Sequence, residues 1–376
     1  MFQQIAEMGH ERILLCSNPE VGLKAIIAVH STVLGPGLGG LRMYPFKDFE
    51  EALTDALRLS RGMTYKAAAA GLNLGGGKAV ILGDPARDKT PELLRAFGRF
   101  VDGLGGRYVA AEDVGIGVRD VEVMAGETLH VAGLVSGAAA SGDPSPVTAR
   151  GVHAGMRAAV AHGLGRRDLS GLRVAVQGVG SVGIHLCERL HADGARLLVA
   201  DVNPGAVRCA VERFGAEAVE PEWILGADVD VFAPCALSRV IDDVAVERLR
   251  ARIVAGAAND QLDEPRHGDA LARRGVLYAP DYVINAGGIV NILGELSGRY
   301  EQSAVHARVD AIGERLLSIL RESDATGQAP GRVADARAHS ILDAARAERP
   351  RLSDQTTGRL APSRSRRSPD PKRAVG

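Results

Sequence analysis

Residues 173–183 of the 376-residue chain read Arg173-Val174-Ala175-Val176-Gln177-Gly178-Val179-Gly180-Ser181-Val182-Gly183, and they carry the clearest indication of its fold. The apolar run 173–177 predicts a strand, a G-x-G-x-x-G motif follows it, and a helix is predicted over about 183–193. In such a motif the first glycine permits a tight turn, the second lets the backbone approach a pyrophosphate, and the third lets helix and strand pack closely. The stretch therefore predicts a dinucleotide-binding turn at a helix N-terminus.

An acidic residue follows the next predicted strand, which covers 196–200. Asp201 lies about 20 residues after the first glycine, where an acid accepts hydrogen bonds from the adenosine ribose and repels a 2′-phosphate. The glycine motif alone is weak evidence in a chain with 46 glycines, but its setting between a strand and a helix makes it specific. We therefore predict NAD as the cofactor, bound at Gly178, Val179, Gly180, Ser181, Val182, Gly183 and Asp201.

Strands and helices alternate around this motif. Helices are predicted over 150–163 and 303–322, and further strands over 229–232, 253–255 and 276–278. Because strands that alternate with helices form a parallel, doubly wound sheet, we predict an α/β protein with a Rossmann-type NAD-binding domain over 134–324. The segment 136–146 is rich in Gly, Ser, Ala and Pro and is interpreted as a hinge or a crossing between domains.

The first part of the chain shows a second α/β pattern. Short apolar runs predict strands at 13–15, 25–29, 79–82 and 108–111. A helix is predicted over 49–63, with Asp48 as its N-cap and two glutamates in its first turn, where they suit the helix dipole. The glycine-rich stretches 35–40 and 71–77 are predicted as loops. These elements indicate a separate domain over residues 1–133.

Composition and charge limit the possible partners. Hydrophobic residues make up 46% of the chain and the formal net charge is -1, so nothing indicates a nucleic acid or a membrane as a partner. The four cysteines lack the spacing of a zinc site, and the N-terminus lacks the pattern of a secretory signal. We expect a soluble, cytoplasmic protein without a bound metal. Residues 350–376, rich in Pro, Ser and Arg, are predicted to be a disordered tail.

Two lysines lie in apolar and glycine-rich sequence. Lys78 ends a glycine run that looks like a Walker A motif, but Leu72 and Ala79 stand where that motif requires glycine and Ser or Thr. Lys66 lies at the end of the predicted helix. Burial lowers the pKa of a lysine, and a second nearby cation lowers it further. One lysine could therefore hold a carboxylate while the other moves protons with Asp113. Ordinary surface lysines remain the alternative that spacing leaves open.

Six longer motifs are similar to those of the Glu/Leu/Phe/Val dehydrogenases, and the resemblance covers about residues 10–345. The motifs lie, in the order of that family, at 39–43, 61–66, 71–78, 111–115, 141–149 and 280–288. The resemblance implies NAD-dependent oxidative deamination of an L-amino acid to a 2-oxo acid and ammonia, and the reverse reductive amination. It also implies a homo-oligomer, with a substrate-binding and oligomerisation domain over 1–133 that a helix at about 325–349 rejoins.

The resemblance further implies residue roles. Lys66 matches the lysine that binds the substrate carboxylate, Lys78 the lysine that activates water and exchanges protons, and Asp113 the carboxylate that handles the amino group. Asn259 matches an asparagine beside the nicotinamide, and Thr148 a threonine near its carboxamide. The residues around the substrate are Leu38, Gly39, Gly40, Met63, Ala111, Ile289 and Ile292.

The side-chain pocket implied by the resemblance is aliphatic. Family members that act on glutamate carry a lysine where Leu38 stands, so a γ-carboxylate would be buried without a partner, which is costly. We therefore predict a branched-chain substrate, namely leucine, valine or isoleucine. A phenylalanine-type enzyme and a non-catalytic NAD-binding homologue are the alternatives. The presence of Lys66, Lys78 and Asp113 argues against the non-catalytic alternative.

Overall fold

Two β-sheets organise the described chain: residues before 135 form the first, and residues after 140 form the second. The computed structural model describes residues 2–134, 141–236 and 238–348, in which each sheet is covered by helices. This arrangement confirms the predicted α/β class with two domains, whereas the domain limits at 1–133 and 134–324 stay predictions. The predicted tail over 350–376 and residues 136–140 of the predicted crossing lie outside the described residues.

The first sheet is mixed, and its strand order within the described chain is β1-β2-β4-β3-β5. Strands β1, β2 and β4 are antiparallel neighbours, whereas β4, β3 and β5 are parallel neighbours. The strands are β1 (Arg12–Asn18), β2 (Leu23–Ser31), β3 (Gly37–Tyr44), β4 (Gly75–Leu82) and β5 (Tyr108–Ala111). The helices of this part are α1 (Phe2–Met8), α2 (Phe49–Ala69), α3 (Pro91–Asp102) and α4 (Val118–Ala125).

Two glycine-rich stretches predicted as loops belong to strands instead. Residues 37–40 lie in β3 and residues 75–77 in β4, so the loop predictions over 35–40 and 71–77 were wrong there. The cause is tertiary packing. A Cβ added to Gly76 would overlap the backbone nitrogen of Thr64 in α2, and one added to Gly77 would lie 2.5 Å from the ring of Tyr108. Glycine is therefore required for the close approach of these elements, although its strand propensity is low.

Helix α2 is longer than the sequence suggested. Asp48 caps it as predicted, because its carboxylate accepts a hydrogen bond from the Glu51 nitrogen at 2.9 Å. The predicted end at residue 63 was wrong, since the helix continues through Gly62 as far as Ala69 and is followed by Gly71, whose φ of 65° does not fit a helix. The extra turns place Lys66 inside the helix, where it is buried.

The second sheet is parallel throughout, with the order β11-β10-β9-β6-β7-β8 among the described residues. This is the strand order of a dinucleotide-binding Rossmann fold, in which the ligand site lies where the order reverses, next to the first strand. The strands are β6 (Arg173–Gln177), β7 (Arg196–Ala200), β8 (Glu217–Ala218), β9 (Val231–Pro234), β10 (Ile253–Val254) and β11 (Leu277–Tyr278). The short edge strand β8 had no signal in the sequence.

The remaining helices cover this sheet and return to the first one. They are α5 (Ser145–Leu164), α6 (Ser181–Ala192), α7 (Pro204–Phe214), α8 (Asp243–Arg248), α9 (Pro265–Arg273), α10 (Asp281–Ile284), α11 (Gly287–Leu296), α12 (Gln302–Asp310), α13 (Ile312–Thr326) and α14 (Pro330–Glu348). The single helix predicted over 303–322 is two helices that meet at Ala311. Helix α14 reaches α2, where His339 is hydrogen-bonded to the Tyr65 hydroxyl at 2.7 Å.

One buried apolar cluster runs through both halves of the molecule. It contains Leu38 and Ala67 from the first sheet and its helix α2, and also Val152, Val176 and Ile289 from the second half. The two α/β units therefore pack on each other through apolar side chains. In the part of the chain that the structure describes, no helix is long and apolar enough to cross a membrane.

Candidate active site

A buried lysine and a carboxylate form an ion pair beside the parallel strands of the first sheet. Lys78 lies within β4 and is 5% exposed, and its Nζ is 2.8 Å from Oδ2 of Asp113, which follows β5. Arg42 of β3 donates to the same oxygen from Nε, also at 2.8 Å. The three residues meet because β3 pairs with both β4 and β5. One carboxylate oxygen is thus shared by two cations.

This packing changes the pKa of both partners of the ion pair. Burial lowers the pKa of Lys78, Asp113 partly opposes that change, and the charge of Arg42 lowers the pKa further. Burial alone would raise the pKa of Asp113, but Lys78 and Arg42 outweigh it and bring this pKa to about 2. Asp113 is therefore ionised at neutral pH, whereas the amine of Lys78 loses its proton more readily than an exposed lysine does.

Lys66 connects this site to the second half of the molecule. Its Nζ donates a hydrogen bond of 2.7 Å to Oδ1 of Asn259, and the amide nitrogen of Asn285 donates to the same oxygen at 3.0 Å. Burial lowers the pKa of Lys66 to about 8; the carboxylate of Asp281 opposes this, and the charge of Lys78 adds to it. Asn259, predicted to contact the cofactor, therefore lies directly against the predicted carboxylate-binding lysine.

The residues predicted to surround the substrate side chain are apolar and come from both halves of the molecule. Leu38 is fully buried and Ile289 is 4% exposed, and both belong to the same apolar cluster, against which Met63 and Ile292 pack. Ala111 is buried at the end of β5. Side chains from β3, α2 and α11 therefore belong to, or pack against, the same apolar cluster.

Two glycines lie where backbone approaches backbone next to this pocket. Gly40 pairs with Ala111 in the sheet, and a Cβ at Gly40 would lie 2.8 Å from the Cβ of Asp113. The carbonyl of Gly39 accepts a hydrogen bond of 2.7 Å from the hydroxyl of Tyr108. A side chain at Gly40 would push Asp113 away from Lys78, so the glycine permits the ion pair.

The glycine turn after β6 has the shape that a dinucleotide needs. Gly178 has a φ of 93°, and a Cβ on Gly183 would overlap the Gly178 carbonyl, so the first and third glycines serve the turn and the packing of α6. A Cβ on Gly180 would meet no atom within 4 Å, which leaves space for a ligand. Helix α6 begins at Ser181, the next residue, so its free N–H groups face this space.

Asp201 braces the same turn. Its Oδ2 accepts a hydrogen bond from the Val179 nitrogen and its Oδ1 one from the Asn203 nitrogen, both at 2.8 Å. Each carboxylate oxygen has a further lone pair, so the residue can still accept a ribose hydroxyl. The turn and Asp201 together fit a nicotinamide dinucleotide.

Thr148 lies where α5 meets α11. Its hydroxyl donates to the Pro144 carbonyl at 3.0 Å, and a Cβ added to Gly288 would be 2.8 Å from that hydroxyl. The residue is therefore next to Gly288, which precedes Ile289 in α11. Within the ranges that the structure describes, no group of three or more His, Cys, Asp or Glu residues is placed to hold a metal ion.

Three residues of the site were not predicted from the sequence. Arg42 lies within the 39–43 motif, which could have drawn attention to it, but its partner Asp113 is 71 positions away. Asp55, which accepts from Arg42 at 3.0 Å, looks like an ordinary polar residue on a helix. Asn285 lies in the 280–288 motif, where its contact with Asn259 gave no local signal.

The structure joins a Rossmann-type sheet to a second α/β unit that contains buried lysines and a carboxylate. This is the architecture of a dinucleotide-dependent dehydrogenase. Family models support this class: residues 10–130 match the model described as Glu/Leu/Phe/Val dehydrogenase, dimerisation domain, and residues 201–351 match the Glutamate/Leucine/Phenylalanine/Valine dehydrogenase model. The chain belongs to the Glu/Leu/Phe/Val dehydrogenase family, which confirms the resemblance. Membership supports an amino-acid dehydrogenase activity and thus an oxidoreductase.

Relatives that are named for different substrates have similar sequence identity to this chain. The leucine dehydrogenase of Geobacillus stearothermophilus is 49% identical over 92% of this chain and 95% of its own. The phenylalanine dehydrogenase of Bacillus thermotolerans is 43% identical over 87% of this chain and 86% of its own. The crystal structure of L-tryptophan dehydrogenase from Nostoc punctiforme superposes with a TM-score of 0.77 at 42% identity and covers 92% of this chain and 99% of that one.

Proposed function

We propose that the protein catalyses NAD-dependent oxidative deamination of branched-chain L-amino acids to 2-oxo acids and ammonia, and the reverse reductive amination. One observation carries the proposal: the ion pair of Lys78 and Asp113 lies beside a second buried lysine, Lys66, which contacts Asn259 of the dinucleotide-binding half. Such a group of residues can hold an α-carboxylate and move protons at the adjacent carbon.

The lysines divide these tasks in the proposed reaction. Lys66 binds the substrate carboxylate with its ammonium group. The same group donates a hydrogen bond of 2.7 Å to Oδ1 of Asn259. Lys78, whose pKa is lowered by burial, takes a proton from the water that attacks the imino carbon. Asp113 accepts hydrogen bonds from the substrate amino group and exchanges protons with Lys78 at 2.8 Å. When bound, NAD supplies the acceptor for the hydride from the substrate Cα.

The proposed cofactor is NAD, held by the turn from Gly178 to Gly183 and by Asp201, with Thr148 and Asn259 toward the nicotinamide. The open space at Gly180 and the helix N-terminus at Ser181 support binding of the pyrophosphate. The negative charge of Asp201 beside the turn supports NAD over NADP, because it repels a 2′-phosphate.

A branched-chain substrate is favoured because the residues expected around its side chain are apolar: Leu38, Met63, Ile289 and Ile292 belong to or pack against one apolar cluster, and Ala111 is buried. An aromatic substrate is the second candidate, since relatives named for phenylalanine and tryptophan are 43% and 42% identical to this chain. A pocket that differs by one methylene discriminates by only about 1–3 kcal/mol, so the substrate must be measured.

The purified protein is expected to form NADH from L-leucine, L-valine and L-isoleucine, with higher kcat/KM than from L-phenylalanine or L-tryptophan and with no reaction on L-glutamate. The measurement is a panel of L-amino acids with NAD, read by NADH absorbance. A higher kcat/KM for the aromatic amino acids would instead support the second candidate, an enzyme with an aromatic substrate. No NADH from any of these amino acids would favour the non-catalytic homologue.

Asp201→Ala is expected to weaken NAD binding about 10-fold or more, because a hydrogen bond to a charged group contributes about 1.5–3 kcal/mol. NADP binding should become stronger in the same variant, since the repulsion of the 2′-phosphate is removed. Both affinities can be measured by calorimetry. Because Asp201 also holds the Val179 nitrogen, damage to the turn is the competing explanation. A parallel loss of NAD and NADP affinity would indicate that damage and contradict the ribose contact.

We also propose a homo-oligomer. The matched family model over residues 10–130 is described as a dimerisation domain, and β1 is an edge strand that carries the exposed Leu15. An edge strand with an exposed apolar side chain offers a surface for pairing with another chain. The mass in solution, measured by light scattering, tests this directly.

A further inference from the structure

Arg42 connects Asp113 to a second carboxylate that is outside the proposed catalytic pair. Its Nε donates to Oδ2 of Asp113 at 2.8 Å, while its Nη1 donates to both oxygens of Asp55, at 3.2 and 3.0 Å. Arg42 comes from β3 and Asp55 from α2, so the contact also ties the helix to the sheet. The side chain of Arg42 is 22% exposed and that of Asp55 is 26% exposed, so both are largely shielded from water.

The carboxylate of Asp113 is held by one oxygen only. Lys78 and Arg42 both contact Oδ2, and among the described residues no donor is hydrogen-bonded to Oδ1. Two donors from different strands fix the rotation of the carboxylate, because turning it would break both contacts. The orientation leaves Oδ1 available to a ligand.

We propose that Arg42, itself held by Asp55, is a positioning residue that fixes Asp113 so that its Oδ1 faces the substrate amino group. This inference rests on the proposed function, since it assigns the free oxygen to the amino acid. The planar guanidinium suits the task, because its donors lie in a rigid fork that can bind two carboxylates at once. A lysine at the same position would offer one flexible ammonium instead.

The charges of this network also act on Lys78, in opposite directions. Arg42 lowers the pKa of Lys78, whereas Asp113 and Asp55 raise it. The amine of Lys66 on α2 also faces this group, as its pKa responds to both Lys78 and Asp113. The phenol of Tyr108 and the carboxylate of Glu112, both on the β5 side, couple to Asp113. Removing Arg42 must therefore raise the pKa of Lys78, and removing Asp55 must lower it.

Arg42→Met and Asp55→Asn separate positioning from simple damage to the fold. If deamination needs neutral Lys78, kcat rises with pH as Lys78 loses its proton. The acid limb of the pH profile of kcat should therefore move to higher pH in Arg42→Met and to lower pH in Asp55→Asn. Loss of the fixed carboxylate should also reduce kcat about 100-fold in Arg42→Met, a typical cost of misplacing a reacting group by about 1 Å. The KM for the amino acid should change less than kcat.

Two further variants serve as controls. Arg42→Lys keeps the charge but not the fork, so its acid limb should stay near that of the wild type while kcat falls. Lys89→Met removes another cation of the same domain, one that binds the Gly115 carbonyl at 2.9 Å and Asp120 at 2.7 Å without touching Asp113. In Lys89→Met, both the acid limb of the pH profile and the value of kcat should stay as in the wild type. Circular dichroism of each variant shows whether it is folded.

A readout that does not need turnover separates this inference from the proposed function. With [13C]lysine-labelled protein, the Cε resonance of Lys78, assigned by its absence in Lys78→Arg, reports the titration of that amine. Its midpoint should rise in Arg42→Met and fall in Asp55→Asn. Midpoints that stay the same, or that move together in folded variants, overturn the inference. A different outcome is an inactive wild type while the midpoints still move in opposite directions in the two variants. That result would overturn the proposed function and the role of Arg42 toward substrate, and it would leave only the effect of Arg42 and Asp55 on the pKa of Lys78.

Discussion

Lys78→Ala is expected to lower kcat for oxidative deamination about 1,000-fold or more while NAD still binds with nearly unchanged affinity. Proton transfer by a positioned side chain contributes about 10²–10⁴ in rate, and Lys78 is the residue proposed to supply it. The cofactor turn follows β6 in the other sheet, away from β4, so its shape should be preserved. Asp113 keeps its contact with Arg42 at 2.8 Å, which should hold the site together in the variant.

Steady-state kinetics measure the loss of turnover, and quenching of protein fluorescence or calorimetry measures NAD binding. Lys24→Ala is the matched control, because Lys24 lies on β2 of the same sheet but is exposed, so its removal should leave kcat unchanged. A small primary amine added to Lys78→Ala should restore part of the rate if the missing function is proton transfer. Turnover near that of the wild type in Lys78→Ala would remove the assigned role.

Gly76→Ala is expected to lower the free energy of unfolding by about 3 kcal/mol or more, and to reduce activity with it. The added Cβ would overlap the nitrogen and hydroxyl of Thr64 and the carbonyl of Ser60, all in α2. Overpacking a core costs about 1–3 kcal/mol when side chains can adjust, and here the obstacle is mainly helix backbone. The strand that carries Lys78 would move relative to the helix that carries Lys66.

Gly62→Ala, which lies in the helix α2 that packs on Gly76, is expected to have the opposite effect. A Cβ on Gly62 would meet no atom within 4 Å, so the substitution adds helix propensity without a clash and should raise stability by about 0.5–1 kcal/mol. Denaturant unfolding of both variants measures the two changes. Equal stability of Gly76→Ala and the wild type would mean that α2 can shift freely on β4, against the packing described above.

The Rossmann half could be predicted well because its signals are local. The strand at 173–177, the glycines and the helix stand next to each other in the chain, and the structure has them in that order with α6 starting at Ser181. The sequence predicted a parallel, doubly wound sheet but not its full strand order. The short edge strand β8 has two exposed residues and no apolar pattern, so the sequence did not indicate it.

The glycines of the first half could not be read from local patterns. Gly76 and Gly77 look like loop residues, and only the positions of Thr64 and Tyr108 in space show why a strand must lack side chains there. The same limit applies to the site. Lys66, Lys78 and Asp113 could be named from motifs, but the role of Arg42 depends on contacts with Asp55 and Asp113, which lie far apart in sequence.

The apolar cluster shared by the two halves has a consequence for how the protein unfolds. Leu38 and Ala67 of the first half are buried in the same cluster as Val152 and Val176 of the second. If either half unfolded alone, it would expose the apolar surface of the other, at a cost of about 25 cal/mol per Å². The two halves are therefore coupled thermodynamically, and heat should melt them in one cooperative transition and not in two.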